Sequence, residues 1–168
     1  MKNLVKHYLH TNRKEIIERS LLHCHVQGLH SIILMEAPGK TIRIYITDQN
    51  HGLYKPGALA LHPHHCQLTL NVVYGELRNI IYKIDMDSAD GAVEYDKYLY
   101  KSHILDDEMA FMKVGSDFLK VKTNKLLRTG DSDFMKSSEI HTVVCSANTV
   151  NGWFVFEGKE NTAHVPFA

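Results

Sequence analysis

The chain has 168 residues and no net formal charge, because 19 Lys and Arg balance 19 Asp and Glu. That length fits one domain with its own core, while the even charge and the lack of a basic tract argue against an electrostatic surface for nucleic acid. The sequence has no apolar run of about 20 residues and no signal-peptide core. Its three cysteines are scattered and suggest no disulfide framework. The sequence therefore predicts a cytoplasmic protein that does not enter a membrane.

The chain begins with a predicted helical segment that spans residues 1–28. Apolar residues recur there at the spacing of one helix face. Asn12, followed three residues later by Glu15, is typical of a helix start and divides the segment. We therefore predict two short helices ahead of the main domain.

Residues 29–158 have the pattern of short strands, and residues 159–168 are expected to form a tail. Gly, Pro and Asp clusters separate runs of alternating or wholly apolar residues, which is typical of antiparallel sheets. The predicted strands are 31–36, 41–47, 58–74, 76–85, 93–104, 118–127, 139–145 and 153–157. About eight to ten short strands favour a single-domain sandwich or barrel with an interior pocket.

Two histidines flank a proline at the head of the longest alternating run, His62-Pro63-His64. Because side chains alternate along a strand, the even-numbered residues from 62 to 74 are expected to share its inner face. His141 lies on a second predicted strand, on the same face as apolar residues. Two imidazoles from one strand and one from another leave open positions around a divalent metal. The alternative is a pair of hydrogen-bonded surface histidines at a strand start.

The segment Leu61–Leu68, followed by Gly75, resembles the first motif of the cupin superfamily, in which a Gly, a His-x-His pair, a Glu and a second Gly follow one another. Gly130 and His141 are as far apart as the Gly and His of the second cupin motif. Leu68 occupies the glutamate position. The other departures from the motifs are Gly57, which is one residue too close to His62, and Lys136, Ser138 and Cys145, which replace Pro, Gly and Asn.

The cupin resemblance implies an all-β fold, an antiparallel double-stranded β-helix or jelly-roll barrel behind a short N-terminal helical segment. Since the motif glutamate is missing, the sequence is similar to three-histidine cupins such as the thiol dioxygenases related to cysteine dioxygenase. In those enzymes a ferrous ion binds the substrate thiolate and dioxygen. The resemblance therefore implies Fe(II), or else Zn, Ni or Mn, on His62, His64 and His141, and by analogy a homodimer.

Three further residues are candidates for catalysis: Arg43, Tyr45 and Cys66. Arg43 and Tyr45 alternate with isoleucines, and on an inner face they could hold a substrate carboxylate and donate a proton. A solvated outer face is the alternative for both. Cys66 and Cys145 could line the pocket, join the metal or serve as small core residues. A register shift of one residue would bring His65 to the metal.

Three functions fit these features, and each would act on or bind a small molecule. The first is a metal-dependent oxygenase, a dioxygenase acting on a small thiol or small acid. The second is a non-catalytic cupin that binds a small molecule. The third is a metal-free sugar epimerase or isomerase, in which His62 or His64 is the base and Tyr45 or Tyr74 is the acid.

Overall fold

The computed structural model of the chain describes residues 2–24, 28–47, 61–64, 66–85, 91–101, 110–145 and 149–160. The described helices are α1 (Lys2–Thr11) and α2 (Arg13–Arg19). The described strands are β1 (Leu29–Ala37), β2 (Lys40–Thr47), β3 (Cys66–Tyr74), β4 (Glu76–Ile84), β5 (Val93–Lys101), β6 (Ala110–Arg128), β7 (Ser132–Met135), β8 (Ile140–Cys145) and β9 (Asn151–Glu160). Neither described helix has the length and apolar content needed to cross a lipid bilayer.

The two predicted helices are confirmed, and α2 begins directly after Asn12 as expected. The Asn12 side chain does not cap α2, because its amide donates instead to the Tyr8 carbonyl oxygen at 2.9 Å. Ile16 of α2 is buried, and the Tyr8 hydroxyl donates to the Leu34 carbonyl oxygen of β1 at 2.6 Å. The helical segment is thereby attached to β1, the edge strand of its sheet.

The strands form two antiparallel sheets. In order across each sheet, the first contains β1-β2-β9-β3-β7 and the second contains β5-β6-β4-β8. His62 extends the second sheet, because its backbone pairs with His141 of β8. The chain therefore crosses between the sheets after β3 and after each of β6, β7 and β8, and this strand order is that of a jelly roll. The all-β jelly-roll fold expected from the sequence is confirmed.

The core lies between the two sheets and consists of alternate residues of their strands. Its buried members are Leu29, Cys66, Leu68, Leu70, Val72, Leu77, Ile81, Leu127, Met135, Val143, Cys145, Trp153 and Val155. The predicted alternation is confirmed on β3 from Cys66 to Val72. The prediction that Tyr74 also faces inward is wrong, because the register of β3 on β9 shifts after Val72 and leaves Tyr74 63% exposed.

Several predicted strand boundaries change in the structure. The strand predicted over 58–74 begins only at Cys66, since Pro63 has no N–H for a ladder and His62 pairs with the other sheet. β7 lies outside all the predicted strands, and β6 begins at Ala110, well before the predicted strand 118–127. Gly57, His65 and the segments 58–60, 102–104 and 161–168 of the predicted elements lie outside the described residues.

Candidate metal centre

The histidines of the predicted site lie where the chain crosses from one sheet to the other. The N–H of His62 donates to the His141 carbonyl oxygen at 3.4 Å, and the N–H of His141 donates back at 3.2 Å. The N–H of His64 donates to the Ser137 carbonyl oxygen at 3.0 Å. His62 and His64 are therefore held by β8 and the segment before it, and the prediction that they belong to β3 is wrong.

The three imidazoles converge on one point. The ring-centroid distances are 4.7 Å for His62–His64, 5.4 Å for His62–His141 and 4.8 Å for His64–His141. One nitrogen of each ring lies within 4.8 Å of those of the other two, and no carboxylate or thiol of the described residues joins this group. Three nitrogens at about 2.1 Å from one metal ion would be roughly 3.0–3.4 Å apart, so small ring rotations would let these residues hold it.

The three histidines of the site differ in their exposure to solvent. His141 is 5% exposed, whereas His62 and His64 are half-buried. Burial lowers the pKa of His141 to about 3, and the charge of His62 adds to that effect, against the opposing influence of Asp133 and Glu139. His141 is therefore neutral at physiological pH, which is the form that binds a metal. Access from solvent is on the side of His62 and His64.

Behind His141 lies a set of polar residues that sequence reasoning missed. Nδ1 of His141 is 2.9 Å from Oδ1 of Asn79, and the Asn79 amide donates to Asp133 at 2.9 Å. Lys125 in turn donates to Asp133 at 2.5 Å. Asn79 is fully buried and Asp133 is 7% exposed. The signal that could have found them is a polar side chain at an inward position among the apolar residues of β4 and β7.

Arg43 and Tyr45 face the interior. Tyr45 pairs with Trp153, which is 2% exposed, and the two rings stack with centroids 5.6 Å apart. Arg43 pairs with the buried Val155, and its Nη2 lies 2.8 Å from Oε1 of Glu157. The isoleucines that alternate with Arg43 and Tyr45 lie on the outer face. The alternative of a solvated outer position for these two residues is therefore wrong.

Arg43 and Tyr45 belong to a polar cluster that also includes Glu157 and Cys24. Burial raises the pKa of Tyr45, and the charge of Arg43 opposes this effect without cancelling it. Burial works against the charge of Arg43, but Tyr45 and Glu157 outweigh it and raise the Arg43 pKa. Burial also raises the pKa of the Cys24 thiol. At neutral pH the cluster therefore places a guanidinium beside a protonated phenol.

The strand register relates this cluster to the histidines. Glu157 of β9 lies opposite Leu68 of β3, and His64 precedes β3 in the chain. Glu157, and with it the guanidinium of Arg43, therefore lies toward the end of β3 that follows His64. Cys66, at the start of β3, is buried on the same face.

Other candidates from the sequence lie elsewhere or have another role. Cys145 is buried in the core and does not belong to the histidine group, and burial raises the pKa of its thiol to about 12. Tyr74 is exposed at the end of β3 far from His64, so its predicted pairing with a histidine base is wrong. All three cysteines are free thiols.

Comparison with known proteins gives likenesses of structure. No protein-family model and no curated protein matches this sequence. The hydroxypropylphosphonic acid epoxidase of S. wedmorenis is similar at 13% identity and a TM-score of 0.49, over 83% of this chain and 56% of that chain, so this chain spans little more than half of the epoxidase. An RmlC-like cupin from Shewanella frigidimarina NCIMB 400 is similar at 16% identity and a TM-score of 0.46, over 88% of this chain and 91% of that chain. The Cnp3 cupin domain of Schizosaccharomyces pombe is similar at 8% identity and a TM-score of 0.46, over 80% of this chain and 66% of that chain.

Proposed function

We propose that this chain is a metal-dependent enzyme of oxygenase type that acts on a small thiol or small acid at His62, His64 and His141. The observation that carries the proposal is the convergence of three imidazoles, without a carboxylate of the described residues, between the buried interior and solvent. A bound ferrous ion would supply open positions for substrate and dioxygen, and the electrons that dioxygen requires. Zn, Ni and Mn are the alternative metals.

The charge of the site favours an anionic substrate. Three neutral imidazoles leave the full charge of a divalent ion uncompensated, whereas a site with one carboxylate ligand would cancel part of it. A thiolate or carboxylate of the substrate would provide the missing negative charge. This argument supports the same substrate class as the resemblance to thiol dioxygenases.

Arg43 and Tyr45 are the residues that we assign to substrate binding. Arg43 uses one nitrogen on Glu157, while its buried Nε has no hydrogen-bond partner. A buried donor without an acceptor costs about 1–3 kcal/mol, which a substrate carboxylate accepting that hydrogen would recover. Tyr45 keeps its proton at neutral pH and can donate it. We place Cys66 in the same site as a thiol on the inner face.

The first test is metal content and dioxygen uptake. Protein prepared without a histidine tag should contain about one equivalent of iron or a similar divalent metal, as expected of a single site, by elemental analysis. With a panel of small thiols and small acids, an oxygen electrode should record uptake that stops after chelation. Bound metal without any uptake would favour the non-catalytic binding protein, and turnover that survives exhaustive chelation would favour the metal-free isomerase.

Replacing Arg43 by alanine should raise KM for the anionic substrate identified in that panel about 10- to 100-fold, the equivalent of one lost charged hydrogen bond. Arg43→Ala also leaves the Glu157 carboxylate without its partner. The single variant Glu157→Gln therefore tests the loss of the ion pair alone, and it should leave KM near the wild-type value. Arg19→Ala, which removes an exposed arginine at the end of α2, is the matched control. An unchanged KM in Arg43→Ala would remove Arg43 from the site.

The remaining parts of the proposal concern the cellular compartment and the oligomeric state of the protein. Its three free cysteines suit the reducing cytoplasm in which we place it. A homodimer stays a prediction by analogy, which size-exclusion chromatography with light scattering would test.

A further inference from the structure

We infer that Asn79 sets the tautomer of His141, and that Asp133 and Lys125 set the orientation of Asn79. In this arrangement Nε2 of His141 presents its lone pair to the space beside His64. The consequence for metal binding rests on the proposed function. The tautomer assignment does not depend on the proposed function, because it follows from hydrogen bonds within the protein.

The first step is the orientation of the Asn79 amide. Lys125 donates from Nζ to one carboxylate oxygen of Asp133, and the other oxygen faces Nδ2 of Asn79 at 2.9 Å. An ionised carboxylate can only accept, so the amide group that faces Asp133 must be the NH2. The Met135 sulfur, 3.2 Å from the same nitrogen, is a second acceptor on that side. The carbonyl oxygen of Asn79 must therefore point the other way.

The second step is the protonation of the His141 ring. Oδ1 of Asn79 lies 2.9 Å from Nδ1 of His141, and an amide oxygen can only accept. Nδ1 of His141 therefore carries the hydrogen, and in the neutral ring Nε2 is left without one. That bare nitrogen lies 2.7 Å from Nε2 of His64, where it accepts a hydrogen from His64 or, in the same orientation, would bind a metal.

The third step is the position of the ring relative to the other ligands. Asn79 and Lys125 lie on paired strands of the second sheet, β4 and β6, whereas Asp133 lies on β7 of the first sheet. The network therefore spans the interior and ties the ring of His141 to both sheets. Partners behind a metal ligand fix its tautomer and direction in this way, and their loss typically costs 10- to 100-fold in metal affinity.

Asp133→Asn is the decisive variant, because it is nearly isosteric and should reverse the direction of the hydrogen bonds that run from Lys125 to His141. The Lys125 ammonium can only donate, so the new amide should turn its oxygen toward Lys125 and its NH2 toward Asn79. Asn79 then has to present its oxygen to residue 133 and its NH2 to Nδ1 of His141. His141 should consequently carry its hydrogen on Nε2, the atom that faces His64.

The test reads the tautomer and the metal affinity separately. Long-range 1H–15N correlation spectra of the metal-free protein should show His141 protonated at Nδ1 in the wild type and at Nε2 in Asp133→Asn. Zn(II) and Co(II) titrations should show affinities about 10- to 100-fold lower in Asp133→Asn and in Asn79→Leu. Adding Lys125→Met to Asp133→Asn should restore part of the Nδ1-protonated form, since the new amide is then free to turn back.

A matched control is Asn151→Leu. Asn151 is another fully buried asparagine, hydrogen-bonded to Thr47 and to the Glu76 N–H, and it adjoins Gly75 at the end of β3 remote from the histidines. Its replacement should lower the melting temperature and leave the His141 tautomer and the metal affinities unchanged. A purely structural role for Asn79 predicts the same result for Asn79→Leu.

The inference is wrong if folded Asp133→Asn keeps His141 protonated at Nδ1 with wild-type metal affinities. Should Asn79→Leu fail to fold, Asp133→Asn decides the question alone. A third outcome is that the wild-type protein binds neither Zn(II) nor Co(II), while His141 has different tautomers in the wild type and in Asp133→Asn. In that case the tautomer assignment stands and the proposed function fails.

Discussion

Protein in which His64 is replaced by alanine should keep its fold and lose its metal. The backbone N–H that His64 donates to Ser137 survives the substitution, and the imidazole is only half-buried, so we expect a change in melting temperature of a few degrees at most. Only His62 and His141 of the described histidine group would remain as donors. Because loss of a partner behind a ligand already costs 10- to 100-fold in affinity, the loss of a ligand itself should cost more than about 100-fold.

Elemental analysis of tag-free protein, Zn(II) titration and the oxygen electrode measure this effect together. The matched control is His10→Ala, which removes an exposed histidine of α1 and should leave metal content and uptake at wild-type levels. About one equivalent of metal bound to His64→Ala with wild-type affinity would show that the three histidines are not the metal site.

Replacing Gly75 by alanine should lower the free energy of unfolding by about 2–4 kcal/mol. Gly75 joins β3 to β4 with a φ of 75°, a conformation that costs a residue with a Cβ about 1 kcal/mol. The new Cβ would overlap Oδ1 of Asn151 and lie 2.9 Å from the Val150 carbonyl oxygen. Oδ1 of Asn151 accepts a hydrogen bond from the Glu76 N–H, and disturbing a buried bond of this kind costs a further 1–3 kcal/mol.

Gly130→Ala separates the two contributions. Gly130 has a φ of 96°, but its added Cβ would meet nothing within 4 Å, so only the cost of the backbone conformation, about 1 kcal/mol, applies. Urea unfolding with unchanged m-values measures both variants. Equal losses in Gly75→Ala and Gly130→Ala would show that the contact with Asn151 contributes nothing to stability.

The alternation of β3 was open to prediction because a strand buried on one face requires it. Leu68, Leu70 and Val72 are buried and Gln67 is exposed, as expected. The same rule fails at both ends of this strand. It cannot anticipate the register shift that exposes Tyr74, nor that the segment of His62 leaves this sheet to pair with His141. Both depend on which strand lies alongside, which local spacing does not contain.

Arg43 and Tyr45 also show what strand spacing predicts and what it leaves open. Their spacing implies that they share one face of β2, and the isoleucines between them would suggest that this face is the wet one. The structure turns Arg43 and Tyr45 inward, because β9 presents Trp153 and Val155 on that side. Which face of a strand is the inner one is decided by the neighbour that completes the core, not by the strand alone.

The sequence by itself determined that this chain is an antiparallel sandwich or barrel behind two helices, and that His62, His64 and His141 are candidate ligands; the jelly-roll form was implied by the cupin resemblance. Periodicity, turn residues and the spacing of histidines are local properties, and local properties are readable in order along the chain. The tertiary structure alone decided that the three rings converge and that Asn79 and Asp133 lie behind them. These contacts join residues from both sheets, and their hydrogen bonds exist only once the sheets have packed face to face.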